Sequence, residues 1–191
     1  FSIQLSQYYG AKDFENLRKS LAHSYRLTAF IAAGVLILSQ LFASLVLTGL
    51  HTPSNIIGMS LLYLRIIFCG IPATAAYNMF ASALRAMGNS KTPLTAMIIA
   101  SVLNVSLDIL FVAGFGWGVA GAAIATVIAQ SFSAVYCFLI LRRIDIVHLT
   151  RADFMPASGM NARLMKLGIP VVFQNIIIGV GGLVVQYVIN G

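Results

Sequence analysis

Between Leu94 and Ala113 the chain runs for twenty residues with a single charge, Asp108, and an amide four positions before it, Asn104. As a helix, twenty residues rise about 30 Å, the thickness of a bilayer's hydrocarbon core. The four-residue spacing puts Asp108 and Asn104 on one face. A carboxylate at that depth is costly, so it should face protein or a water-filled cavity, and a function is its default reading.

Comparable runs recur at Ala29–Leu50, Ile66–Leu84, about Val119–Leu141 and Ile169–Ile189. Each is long enough to span and free of charge, so an all-α, polytopic membrane helix bundle with about five spans is predicted. Composition agrees, since 59% of the residues are hydrophobic and 9% charged, against about a quarter charged in soluble domains. The formal charge of +7 lies between the apolar runs rather than on a polar face, which argues against a nucleic-acid partner. Cys69 and Cys137 sit within apolar segments and read as small core residues, with no disulfide framework or metal site implied.

Punctuation between the runs predicts the connections. Residues 1–26, with Lys12, Asp13, Glu15, Arg18, Lys19 and Arg26 around Gly10, read as a polar connection leading into a helix. His51–Asn55 breaks the first span, and residues 56–64 read as an amphipathic lead-in at the membrane surface. Pro72 is expected to kink the second span. In the turn at 84–93, Gly88 stops one helix, while Thr92 as N-cap with Pro93 at the first position starts the next. Trp117 suits a membrane interface. In the fourth span Gly121, Ala125, Ala129 and Ser133 recur every four residues, a period that lets backbones approach closely and places this helix among others. The 142–166 stretch, holding Arg142, Arg143, Arg151, Arg163 and Lys166, reads as a linker between two halves.

Eleven of the twelve basic residues fall on one side of this arrangement, leaving Arg65 opposite. That bias makes the first segment and the 84–93 and 142–168 segments cytoplasmic, with 51–65 and 114–118 outside. Asp108 then lies about two thirds of the way across. The chain opens at Phe1 without an initiator Met or a signal-peptide pattern, and both ends read as cuts in a longer protein.

Other motifs have bland readings. Gly116–Gly121 satisfies GxGxxG but lacks the preceding strand and the acid about 20 residues later that a dinucleotide site needs. Asn104-Val-Ser106 matches a glycosylation acceptor inside the membrane, by chance. Asp108 has two open readings: an ion or proton site, or a structural pair with a base such as Arg65. As a site, a raised pKa would let it bind and release protons, and its ionised form could ligate Na⁺ through oxygen. Thr126 on the next helix could add a hydroxyl. Gln174 and Asn175 divide between interhelical hydrogen bonding and a substrate contact.

The segments LRAMGNSKTP, LNVSLDILFVAGFGWGVAGAAIATVIAQ and GIPVVFQNIIIGVGGLVVQ, in that order and spacing, closely resemble the multidrug and toxic compound extrusion (MATE) family, especially its DinF-like branch. The resemblance implies twelve helices in two six-helix lobes and cation-coupled export of amphipathic, often cationic compounds by alternating access. Residues 1–141 would run from the end of the family's second helix to its sixth, 142–168 would be the cytoplasmic inter-lobe linker, and 169–191 would open the C-terminal lobe. It further implies an N-lobe cation site built from Asn104 and Asp108, from Thr126 and, by the looser match, from Tyr63, together with an acid on the absent first helix. No cofactor is implied beyond a coupling ion, H⁺ or Na⁺. Asp108 and Asn104 would be metal ligands only in the Na⁺ case.

The partners that follow are a small amphipathic substrate, membrane lipid and the remaining helices of the same transporter. The location that follows is the plasma membrane, the inner membrane of a bacterium. A lipid-linked precursor flippase would need several cations inside the membrane, where only Arg65 comes near. A polyprenyl-processing enzyme would need paired aspartates to hold Mg²⁺. A non-transporting membrane scaffold is the remaining alternative, which a transport assay separates.

Overall fold

The computed structural model describes residues 2–49 and 55–154 continuously, with the further residues 166, 168–170, 172–174, 177–178 and 181. Among the described residues the continuous α-helices are, in chain order, α1 (Ser2–Gly10), α2 (Phe14–Gly49), α3 (Ile57–Cys69), α4 (Ile71–Ala86), α5 (Lys91–Asp108) and α6 (Gly118–Arg142). A π-helical turn, Ile109–Gly114, prolongs α5, and two 3-10 turns, Asp145–Val147 and Arg151–Phe154, follow α6. Among the described residues four stretches are long and apolar enough to cross a membrane: Phe14–Gly49, Ile57–Ala86, Lys91–Gly114 and Gly118–Arg142. Large apolar side chains such as Phe30, Leu41 and Leu45 stand on the surface, as they do when hydrocarbon or further helices replace water. The fifth run, Ile169–Ile189, lies largely outside the described residues.

Three connections differ from the sequence expectation. Residues 1–26, expected as a polar connection leading into a helix, are themselves mostly helical, with α1 over Ser2–Gly10 and α2 beginning at Phe14. Asp13 caps α2: its Oδ1 accepts from the Asn16 backbone N–H at 3.1 Å, and its Oδ2 accepts from the Asn16 amide at 2.7 Å. Lys19 and Glu15, one turn apart, pair at 2.6 Å, so the charged residues here sit on a helix rather than breaking one.

Residues 57–64, expected as an amphipathic lead-in at the membrane surface, are helical and run on into the span. Ile57–Ala86 is one near-continuous span, interrupted at Gly70, with Pro72 within the first two positions of α4. Proline fits there because the first N–H groups of a helix have no intrahelical partner. In the third case α5 starts at Lys91 rather than after Thr92. Ser90 holds the N-cap position without a side-chain bond, and the Thr92 N–H is satisfied by Asn89 Oδ1 at 3.1 Å.

Gly88 ends α4 as expected, with φ +84. The Gly88 N–H donates to the Arg85 carbonyl at 3.0 Å and the Asn89 N–H to the Leu84 carbonyl at 2.9 Å, the paired bonds of a Schellman end. Cys137 is buried, whereas Cys69 is exposed and lies 3.4 Å from the Gln40 amide nitrogen, which corrects its reading as a core residue.

α6 is the inner helix of the bundle and packs against α3, α4 and α5, while α2 packs on α1, α3 and α4. The small residues of α6 do what their spacing predicts, since Gly121, Ala125, Ala129 and Ser133 are all buried.

The segment after α6 straps back over the start of α2. Arg26 donates from Nη1 to the Phe154 carbonyl at 3.0 Å, and the Arg18 guanidinium stands 4.0 Å from Asp153 Oδ1. Asp153 Oδ2 accepts from the Thr150 N–H at 2.7 Å and from its hydroxyl at 2.8 Å. Burial pushes the Asp153 carboxyl pKa up, but the Thr150 bonds and the Arg18 and Lys19 charges outweigh it and the net direction is down. A carboxylate whose pKa falls on folding contributes stability above its unfolded pKa of about 3.9 and loses it as pH drops through the folded value. Asp153→Asn is therefore expected to speed amide hydrogen exchange over 145–154 by about tenfold, the loss of roughly one charge-assisted bond. Exchange unchanged from the parent protein would leave Arg26 alone as the fastening.

Candidate cation site

Asp108 is the last residue of α5, and the backbone widens immediately after it into the π turn. The Phe115 N–H reaches back five residues to the Leu110 carbonyl at 2.9 Å, and the Trp117 N–H to the Phe111 carbonyl at 2.9 Å. Such turns re-aim the residues around them and are frequent at functional sites. Trp117 stacks on Phe111, with ring centroids 5.1 Å apart, and lies 5.3 Å from Phe115, so it closes the corner between α5 and α6.

Gly121 lets α6 come this close. A Cβ there would sit 2.9 Å from Phe111 Cβ, 3.1 Å from Trp117 Cβ and 3.2 Å from the Phe111 carbonyl carbon. The approach brings Asn104 within reach of α6: its Nδ2 donates to Thr126 Oγ1 at 3.4 Å, while the Thr126 hydroxyl donates to the Ala122 carbonyl at 3.0 Å. With Nδ2 turned to Thr126, the Asn104 carbonyl oxygen remains an acceptor one turn from the acid.

Asp108 Oδ1 is buried and has no hydrogen-bond partner. The ion pairs among the described residues are Arg18–Asp153, Lys19–Glu15 and His148–Asp145. None involves Asp108, and Arg65 is exposed on α3, so the structural pairing of Asp108 with Arg65 does not form. A buried, unpaired carboxylate oxygen is expensive and calls for a proton or a cation as its complement.

The sequence-predicted residues thus separate. Asn104 and Thr126 are in contact, and Asp108 is one turn along the same helix. Tyr63 is 37% exposed on α3 and hydrogen-bonds to none of the three. Gln174 is a helical, exposed residue, and Asn175 lies outside the described residues.

Sequence reasoning missed the cavity beside the pair. About 200 Å³ lies between α4, α5 and α6, bordered by Asn104, Thr126, Tyr77, Ser101, Gln130 and Ser133 among others. The Tyr77 hydroxyl donates to the Pro93 carbonyl at 3.3 Å. The signal was available: Ser101, Asn104 and Asp108 fall at i, i+3 and i+7 on α5, and Thr126, Gln130 and Ser133 at i, i+4 and i+7 on α6. Two polar rows on facing helices make a polar seam in an otherwise apolar bundle.

Four candidate membrane spans, one of them carrying a half-buried acid with an unpaired buried oxygen, define a helical membrane bundle. The chain belongs to the MatE family, whose pattern matches residues 1–110. It is similar to "Probable multidrug resistance protein YpnP" of Bacillus subtilis (strain 168), at 32% identity over 186 residues, 97% of this chain and 42% of that protein. It is also similar to "Multidrug export protein MepA" of Staphylococcus saprophyticus, at 26% identity over 98% of this chain and 42% of that one. The chain thus spans about two fifths of the length of these curated relatives.

Among solved structures, the "Inward-facing conformation of a multidrug resistance MATE family transporter of the MOP superfamily" superposes with a TM-score of 0.82 at 24% identity, covering 88% of this chain and 39% of the other. The outward-facing conformation of a transporter described in the same words superposes at 0.81 with 24% identity, covering 88% and 38%. These likenesses establish the fold.

Proposed function

We propose that this chain is part of a cation-coupled antiporter that exports amphipathic, often cationic compounds, with Asp108 as its coupling carboxylate. Residues 1–141 belong to the N-terminal lobe, 142–168 are the inter-lobe linker and 169–191 open the C-terminal lobe. The observation that carries this reading is the buried Asp108 Oδ1 without a partner inside a membrane span. The names of the relatives support drug export, and the similar superposition on inward- and outward-facing structures supports a lobe that moves as one body.

A proton on Asp108, or a Na⁺ held by its carboxylate with the Asn104 carbonyl and Thr126 hydroxyl oxygens, supplies the complement that the buried oxygen lacks. Tyr63 and an acid from the rest of the transporter complete the site, and Gln174 and Asn175 are the candidate cargo contacts. Cation binding favours the lobe conformation with lower cargo affinity, so cargo leaves outside. Couplings of this kind are worth about 1–3 kcal/mol, a factor of about 5–150 in affinity. The location that follows is a bacterial plasma membrane.

Full-length protein in proteoliposomes, under an imposed H⁺ or Na⁺ gradient, should export a cationic dye in response to one of the two. Export indifferent to both gradients would sink the reading. Thr126→Val should raise the half-saturating cation concentration about two- to fivefold, as expected for losing one long hydrogen bond. An unaltered cation dependence would remove Thr126 from the site.

A further inference from the structure

Two further cavities meet at the cytoplasmic end of the bundle, and neither shares a lining residue with the Asn104–Thr126 cleft. One, of about 230 Å³, lies between Tyr25 on α2, Phe138 and Arg142 on α6, and residues 147–149. The other, of about 400 Å³, also begins at Tyr25 and Phe138 and continues between α2 and α4 along Ala29, Ala33, Leu36 and Ala76. No charged residue lines this second crevice. The Phe80 ring lies between the two shared aromatics, edge-to-face with Tyr25 at 5.6 Å and tilted against Phe138 at 5.3 Å between centroids.

From Tyr25 to Leu36 is eleven residues of helix, a rise of about 16 Å. That is close to half of a hydrocarbon core about 30 Å thick, the depth of one leaflet. At the mouth, Arg142 is exposed and makes no ion pair or hydrogen bond among the described residues. Arg143 follows it. On the opposite wall His148 carries Nε2 3.8 Å from Asp145 Oδ1, and the Asp145 side chain is itself fully exposed. Basic-residue counting puts this mouth at the cytoplasmic surface, where anionic lipid headgroups are concentrated. A cationic mouth above an uncharged groove one leaflet deep is the complement of a lipid with a negative headgroup.

We propose that this paired cavity binds an anionic phospholipid of the cytoplasmic leaflet, its phosphate between Arg142 and His148 and one acyl chain in the crevice between α2, α4 and α6. The site is independent of the cation site, so its failure would leave the efflux reading untouched.

The test uses full-length protein in nanodiscs of mixed phosphatidylcholine and phosphatidylglycerol, with a diazirine placed mid-chain on either lipid and adducts mapped by peptide mass spectrometry. The phosphatidylglycerol probe is expected to label the 25–36 and 138–149 peptides about fivefold more than the phosphatidylcholine probe, the effect of one basic residue at the membrane surface. Arg142→Gln should abolish that preference. Ala33→Phe, at an exposed position that fills the crevice, should lower labelling by both probes. Equal labelling by the two lipids, a preference that survives Arg142→Gln, or adducts confined to other peptides would overturn the proposal. Competition by excess inorganic phosphate would do the same, since it would show that the mouth holds free phosphate instead of a lipid.

Discussion

Asp108→Asn in the full-length protein is expected to reduce gradient-driven export to the level of passive leak. The substitution keeps the size of the side chain and its position at the end of α5, but removes the group that can accept a proton or neutralise Na⁺. Asparagine also brings its own N–H donors, which can pair with nearby carbonyl or hydroxyl oxygens without any cation, so the site no longer has two states to couple. The cargo-affinity difference between cation-bound and cation-free protein, about 5- to 150-fold in such systems, should collapse to unity. Fluorescent-substrate export from proteoliposomes, alongside binding of the same substrate with and without cation, reads both consequences. Wild-type export by the variant would mean that the coupling carboxylate lies elsewhere.

Gly121→Ala should be the most damaging single-methyl change in the described bundle. Its Cβ would come within 2.9 Å of Phe111 Cβ and 3.2 Å of a backbone carbon, neither of which can swing aside as a side-chain tip can. α6 must then back away from the π turn, and the Asn104–Thr126 bond, already 3.4 Å long, is lost with it. Overpacking of this sort costs about 1–3 kcal/mol, which a thermal melt of the purified protein detects. Gly34→Ala is the matched control, because a Cβ there meets nothing within 4 Å and alanine is the better helix former by about 1 kcal/mol. Equal melting temperatures for the two variants would contradict the close approach at Gly121.

The spans were legible because lipid compatibility is a property of local composition. Ala29–Leu50 and Leu94–Ala113 mark helices whose cores fall where the uncharged runs lie. Helix ends were less legible. Asp13 and Asn89 each satisfy a first-turn N–H through a side-chain oxygen, yet each sits among charged and small polar residues that read equally well as loop. Arg65 suggested a span boundary after residue 64, but the helix carries it through, since one long cationic side chain can reach polar surroundings from inside a span.

The Asn104–Asp108 pair was found from spacing alone, while its setting was not. That Asp108 lacks Arg65 as a partner depends on where α3 lies relative to α5. The π turn after Asp108 has no signal stronger than three alternating glycines. Nothing in the sequence singles out Tyr77, because one tyrosine on a helix does not reveal which neighbour it will face.

By itself the sequence determined that this chain carries several runs able to cross a membrane and that one acid sits within one of them, with the side of its basic loops an expectation of charge counting. Each follows from hydropathy, charge count and helical period, which need only local information. Only the tertiary structure decided that α6 is the inner helix, that Gly121 brings it against the π turn, that Asn104 meets Thr126, and that Asp108 keeps an oxygen with no partner. Those facts depend on the distance between helices, which is set by how small residues and aromatic rings interlock across an interface.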